Sequence, residues 1–337
     1  MRLQDGLYDP QRYLQGQWHA SWLSELPPEY WREMVDAIAT HWVSWVDPKD
    51  VPAYLETPEG LGKIRDQLVI RVSQASELFV PWLEAAVPLR GKKVLEIGGG
   101  AGASTAALAR AGAHPIVVDI SEHFLCVNRT RLSVLGLAAT HVLAPDDWLS
   151  SDEKAREVID RVGEVDLVVC YALIEHLLIA ERLRVLTIAR EFMRKRRDVK
   201  FVCWETPNRL APVDWHTTRT VLPDVVPDEL GALYLETVMP AEARPKSRRP
   251  WLFGERGKVP WGRTGRGASF HEFEVAFGPG NYRVIQDGYW GRGDQQHRYN
   301  PRLDYEAALE AILGAMNPPV PRGFCRPSLN LVIELAD

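Results

Sequence analysis

Lys93-Val-Leu-Glu-Ile-Gly-Gly-Gly-Ala-Gly-Ala-Ser-Thr105 is the stretch that decides the fold. Val94, Leu95 and Ile97 make a short apolar strand broken by one acid, Glu96, and the strand runs into glycines at 98, 99, 100 and 102. An alanine-rich helical pattern continues through Ala111. Glycines between a buried strand and a helix let a ligand approach the backbone with no Cβ in the way, and the helix start adds unpaired N–H groups. This is the local design of a nucleotide-type cofactor site.

Outward from that turn, the pattern alternates between strand and helix. Strands are expected at 115–120, 139–144, 165–170 and 200–204, with helices at 104–111, 122–136, 151–162 and 177–195. Near-continuous apolar strands such as Val165–Cys170 belong to a parallel sheet covered on both faces. Two later strands, Tyr282–Ile285 and Leu329–Leu335, stand apart, with one more helix expected at about 303–316. Upstream, residues 15–90 read as helical: Trp31, Met34, Ile38 and Trp42 recur at helix spacing, as do Leu68, Val72, Leu78 and Trp82. The tryptophans there read first as helix-packing core and second as an aromatic lid. Between the fifth strand and Tyr282 lies an insertion of about 70 residues. It carries a basic stretch (Arg244, Lys246, Arg248, Arg249, Arg256, Lys258, Arg263, Arg266) with Trp251 and Trp261 interleaved. A solvated loop and an anion-recognising lid are both open readings of it.

Bulk properties narrow the class. The chain has 337 residues and a net charge of −5, which gives no support to a dedicated nucleic-acid binder. No apolar run approaches the ~20 residues of a membrane span. Met1 to Gln17 is polar and lacks the pattern of a signal peptide. Cys126, Cys170, Cys203 and Cys325 are widely separated, so neither a disulfide framework nor a zinc site is expected, and a reducing cytoplasm is the default. No metal site is expected: the histidines show no ligand spacing, and Glu205, Asp214 and His216 are the only weak candidates.

Two owners compete for the glycines. Gly98-x-Gly100-x-x-Ala103 meets a permissive dinucleotide fingerprint, with Asp119 placed to hold a ribose, so an NAD-dependent oxidoreductase is one reading. Glu96 before Gly98, Gly100 and Gly102, Asp119 at the end of the second strand, Asp146 and Asp147 after the third, and the run Asp166-Leu-Val-Val-Cys-Tyr-Ala-Leu-Ile-Glu-His-Leu177 make the other. Together they resemble class I S-adenosylmethionine-dependent methyltransferases of the small-molecule type. The resemblance covers about residues 65–218 and resumes in the two late strands, which fit that family's antiparallel ending.

The resemblance implies a doubly wound α/β fold, a mostly parallel seven-stranded Rossmann-like sheet. A helical N-terminal cap would occupy 1–90, the cofactor-binding core 91–218, an inserted lid between strands five and six 219–280, and the last strands 281–337. It further implies S-adenosylmethionine as cofactor. Glu96, Gly98, Gly100 and Gly102 would form its loop, Asp119 would hold the ribose and Asp146 or Asp147 the adenine amine, with Ile120, Trp148 and Cys170 as further cofactor-binding residues.

Methyl transfer from a sulfonium is an in-line displacement, so the enzyme must align acceptor and donor, and a hydroxyl acceptor also needs a base. Ligands of open α/β sheets bind beyond the carboxyl ends of strands, which draws attention to Tyr171 and to the segment after the fifth strand. In an extended Glu205–Thr218 segment, Asp214 and His216 fall on one side, so the carboxylate would raise the basicity of His216. Glu205 and Asn208 are candidate substrate ligands, and His271 with Glu272 forms a second candidate site. His176 reads as structural. The expected function is methylation of a small polar, anionic metabolite, with oxygen ahead of nitrogen or sulfur. S- or N-methylation by alignment alone, or a non-catalytic cofactor-binding subunit, remain alternatives. The expected partners are a small molecule, no nucleic acid and no membrane, in a monomer or homodimer.

Overall fold

A computed structural model describes residues 3–214, 216, 221, 225–227, 230, 237, 265–288 and 303–336. Seven strands form one sheet: β1 Lys93–Ile97, β2 His114–Asp119, β3 Thr140–Leu143, β4 Leu167–Tyr171, β5 Lys200–Pro207, β6 Tyr282–Asp287 and β7 Ser328–Leu335. Their order is β3-β2-β1-β4-β5-β7-β6. The chain divides into two compact units, Met1–Val169 and Cys170–Asp337, with the break inside β4.

In the first unit β1, β2 and β3 run parallel, Leu95 opposite Ile116 and Val118 opposite Val142. The connecting helices begin where the sequence supplies caps: Ser121 accepts from the Phe124 N–H and Ser151 from the Lys154 N–H. Residues 15–90 are helical as expected, in short pieces. Pro28 opens the helix Pro28–Ala37 at a position where its missing N–H costs nothing. Three turns, Ile38–Trp42, Asp66–Ile70 and Ala75–Phe79, are π-helical. The core reading of the aromatic stripe fits Trp31, which is buried between Tyr13 and Tyr30. Trp45 is half exposed and shares the ammonium of Lys63 with Trp42.

In the second unit β7 lies antiparallel to both β5 and β6, as the late strands led us to expect. β5 runs past Trp204 to Pro207, because its pairing with β7 resumes after a register shift between Cys203 and Thr206. Glu205, inside that shift, has a left-handed φ of 62°, and Ala172, just beyond β4, has 49°. Non-glycine residues in this region are uncommon and cluster at functional sites. The helix Phe270–Phe277 starts with a reciprocal cap between Ser269 and Glu272. Phe273 and Phe277 pack on Phe201 of β5, and Arg190 donates to the Ala276 carbonyl at 2.6 Å. This end of the 219–280 interval is therefore core structure. The basic residues Arg244 to Arg263, with Trp251 and Trp261, lie outside the described residues.

Candidate functional site

The glycine turn is held by its own neighbours. Glu96 is fully buried; Ser104 and Thr105, in the first turn of the next helix, donate their hydroxyls one to each carboxylate oxygen, with Thr105 at 2.5 Å. Burial pushes the carboxyl pKa upward and the two hydroxyls oppose the shift. Asp119 receives the Gly100 N–H at 2.9 Å and the Ser121 N–H at 2.9 Å, and burial raises its pKa too. Asn128 donates to Thr105 Oγ1 at 3.0 Å, and its oxygen faces His141 Nε2 at 3.1 Å.

The glycines divide by role. A Cβ on Gly102 would lie 2.7 Å from Asn128 Cγ at a φ of 83°, so the protein's own packing demands glycine there. At Gly100 the nearest atom to such a Cβ would be 4.0 Å away, which leaves this side open to a ligand. Ile120 is an exposed apolar side chain beside Asp119, and Trp148 and Cys170 are buried. Asp147 is held by Lys154 Nζ at 2.6 Å, whereas Asp146 is exposed.

A separate cluster forms in the second unit. Glu175 is fully buried. Its Oε2 accepts from Thr206 Oγ1 at 3.2 Å, and its Oε1 has no hydrogen-bond partner. Two imidazoles face that oxygen, His176 Nε2 and His216 Nε2, each at 3.9 Å. Burial, reinforced by the charge of Glu205, pushes the Glu175 carboxyl up to about 8. His176 is half exposed and His216 largely covered, with ring centroids 5.7 Å apart.

Asp214 accepts from the main-chain N–H of His216 at 3.0 Å, and the Glu175 carboxylate lies 3.9 Å from the His216 ring. A short acid two residues before an amide is suited to such a backbone bond. Among the described residues, Glu175, His176 and His216 could ligate a metal, one donor atom of each lying within 4.8 Å of the others.

Asn208 and Glu272 are occupied by the fold. Asn208 donates to the carbonyls of Phe324 and Arg326, both at 2.7 Å, and accepts from the Leu210 N–H. Glu272 caps its helix and meets Arg182 at 3.4 Å. His271 is exposed, bonded to Ser269 Oγ at 3.0 Å and stacked on Phe270. The Glu205 main-chain N–H donates to Asn330 Oδ1 at 2.8 Å, and Tyr171 ends β4. Burial pushes the Cys203 thiol up to about 12, which leaves it unreactive. Sequence reasoning had assigned no role to Glu175, although it stands in the quoted Glu-His pair after β4; its partner His216 is 41 positions away.

Comparison with known proteins now bears on this geometry. Residues 95–196 match a family described as a methyltransferase domain, and that interval contains the glycine turn, Asp119 and Glu175. A ubiquinone biosynthesis O-methyltransferase of Aromatoleum aromaticum (strain DSM 19018 / LMG 30748 / EbN1) is 34% identical over 103 residues, 31% of this chain and 41% of that protein. Over this interval the chain is similar to a methyltransferase domain. An enzyme of the same name from Thiobacillus denitrificans (strain ATCC 25259 / T1) is 33% identical over 104 residues, 31% of this chain and again 41% of the relative. The match thus spans about two fifths of the length of these relatives. Among solved structures, magnesium protoporphyrin IX methyltransferase from Synechocystis PCC 6803 with bound SAH covers 73% of this chain and 94% of its own, at 17% identity and a TM-score of 0.41.

S-adenosylmethionine is the cofactor of this family, and the methyltransferase domain has the groups to receive it. The open side of Gly100 admits a ligand, Asp119 offers a carboxylate for hydroxyls, and Ile120 offers an apolar face. Among the described residues no helix is long and apolar enough to cross a membrane.

Proposed function

We propose that the protein methylates a small polar acceptor at oxygen, and that His216 is the base that takes the acceptor's proton. The observation behind this is the buried Oε1 of Glu175, which lacks a hydrogen bond and faces the His216 ring at 3.9 Å. S-adenosylmethionine supplies an electrophilic methyl group when bound. Proton uptake turns His216 into an imidazolium, and an ionised Glu175 stabilises that charge. Tyr171, Glu205 and His271 remain candidates for acceptor contact, with Glu205 favoured by its strained backbone. The names of the curated relatives favour oxygen as the receiving atom. The basic run 244–263 suits an anionic acceptor, whereas Arg266 is buried and donates to the Val226 carbonyl.

The test uses methyl-labelled S-adenosylmethionine with hydroxyl, carboxylate, amine and thiol acceptors. His216→Ala is expected to cut turnover at least ~100-fold while S-adenosylhomocysteine binds as before. A variant of near wild-type rate removes His216 from the role. Chelators are expected to leave turnover unchanged; a loss restored by a divalent cation would make His216 a ligand instead of a base. Turnover independent of salt, with charged and neutral acceptors used alike, would end the anionic-acceptor reading. Binding of NADH in place of S-adenosylhomocysteine would overturn the whole reading.

A further inference from the structure

Arg131, on the helix Glu122–Val134, is fully buried, and the described residues pair no carboxylate with it. Its partners are all neutral. Nε donates to the Ala101 carbonyl at 2.9 Å, Nη2 to the Gln67 carbonyl at 3.0 Å, and Nη1 to the Tyr30 hydroxyl at 3.3 Å. Ala101 is the non-glycine residue inside the glycine turn, and Tyr30 and Gln67 belong to the N-terminal helices. One guanidinium therefore joins the turn to the segment that precedes the shared domain.

A buried charge is costly, and where packing alone is needed an apolar side chain of similar length serves better. What an arginine adds is a rigid fork of five donors that reaches several acceptors at once. Each acceptor is itself fixed. Tyr30 stands edge-on to Trp31, which stacks on Tyr13, whose hydroxyl donates to the Leu7 carbonyl at 2.6 Å. Gln67 lies in the π-helical turn Asp66–Ile70, a distortion that often marks function. Ala101 is buried in the same hydrophobic cluster as Tyr30, Trp31 and Leu68. One helical turn before Arg131, Asn128 adds a longer contact to the Gly100 carbonyl at 3.5 Å.

We propose that the N-terminal helices are a working part of the cofactor site and that Arg131 is the positioning residue through which they act. Arg131 sets the Ala101 carbonyl of the glycine turn from behind, so that the ligand-facing side of the turn is formed before the cofactor arrives. Two of its three acceptors lie outside residues 95–196, so this support is an addition to the matched domain. The inference rests on the reading of the turn as the cofactor loop.

Two measurements on the full chain test it: S-adenosylhomocysteine affinity by calorimetry, and hydrogen exchange of the amides from Gly98 to Gly102. Arg131→Met is expected to weaken binding at least ~30-fold, Arg131→Lys less, and Tyr30→Phe about 3-fold, with faster exchange at the turn in the same order. Leu55→Ala, in the same cluster but making no bond to Arg131, is the control. It should lower the unfolding midpoint while leaving affinity within about 2-fold. Should Arg131→Met fail to fold, Tyr30→Phe and Arg131→Lys carry the test. Wild-type affinity and exchange in these variants overturn the proposal, as does an equal loss of affinity in Leu55→Ala. If the wild type itself binds no S-adenosylhomocysteine, the cofactor reading fails, and the exchange data still decide whether Arg131 holds the turn.

Discussion

Glu96 and Glu175 are both fully buried carboxyl groups, one in each compact unit, and burial raises the pKa of both. Their surroundings differ. Glu96 has each oxygen filled by a hydroxyl from the next helix, eight and nine positions away. Glu175 has one oxygen filled by Thr206 and the other directed at two imidazoles. A buried acid with all its partners supplied is a fastening, because every hydrogen bond it makes would have to be broken to use it. A buried acid with a bare oxygen beside titratable rings keeps its capacity for exchange. The comparison separates a carboxylate that builds the cofactor turn from one available for chemistry.

The contrast can be broken in three places. The largest effect is expected at Gly102→Ala, where a φ of 83° and an approach of 2.7 Å to Asn128 combine. We expect a loss of about 3 kcal/mol in unfolding free energy, with weakened S-adenosylhomocysteine binding. A variant as stable as wild type would show that the turn is not clamped as described. Next is Glu96→Gln, which puts an amide donor against Thr105, a hydroxyl already accepting from Asn128. A cost of about 2 kcal/mol is expected by denaturant titration. Glu175→Gln should leave the protein at least as stable at pH 7, since the amide avoids the proton uptake that folding imposes on the acid, yet impair turnover.

A further break is the pH dependence of stability. The Glu175 pKa rises from 4.5 to about 8 on folding, so between those values the folded protein binds a proton that the unfolded chain has released. The contribution of this group is full below the lower value and declines as pH rises to the upper one. The gap between the unfolding midpoints of wild type and Glu175→Gln should therefore shift in favour of the variant from pH 5 to pH 8. A gap that stays constant would mean that Glu175 is ionised throughout. On the same grounds the base reading expects wild-type turnover to rise through about pH 8 and Glu175→Gln to lose that limb.

Legibility in the sequence followed the reach of the interactions. The order of strands and helices and the antiparallel late pair could be read because periodicity and caps are local. The glycine turn was legible for the same reason: Glu96 and Asp119 find their partners within 2 to 19 positions. In the second unit Glu175 meets His216, and Asn208 is anchored by carbonyls 116 and 118 positions away. No spacing rule reaches that far. Asp214 was chosen to accompany His216 because it is near in sequence, but a short acid two residues before an amide is already suited to cap the backbone. Arg131 escaped notice because an arginine in a helical pattern reads as solvated surface.

Asn128 gives the bonds behind Glu96 a direction. Its oxygen can only accept, so His141 must present a hydrogen on Nε2, and its nitrogen can only donate, so the Thr105 hydrogen is turned toward Glu96. The side chains from the edge strand to the centre of the sheet are thus polarised one way, ending on an acid that receives and gives nothing back. Burial lowers the His141 pKa and so favours the neutral ring, whose tautomer the bond to Asn128 selects. Asparagine is the residue that fixes this polarity; an aspartate of the same shape could only accept, from His141 and from Thr105 alike, and would draw the Thr105 hydrogen away from Glu96.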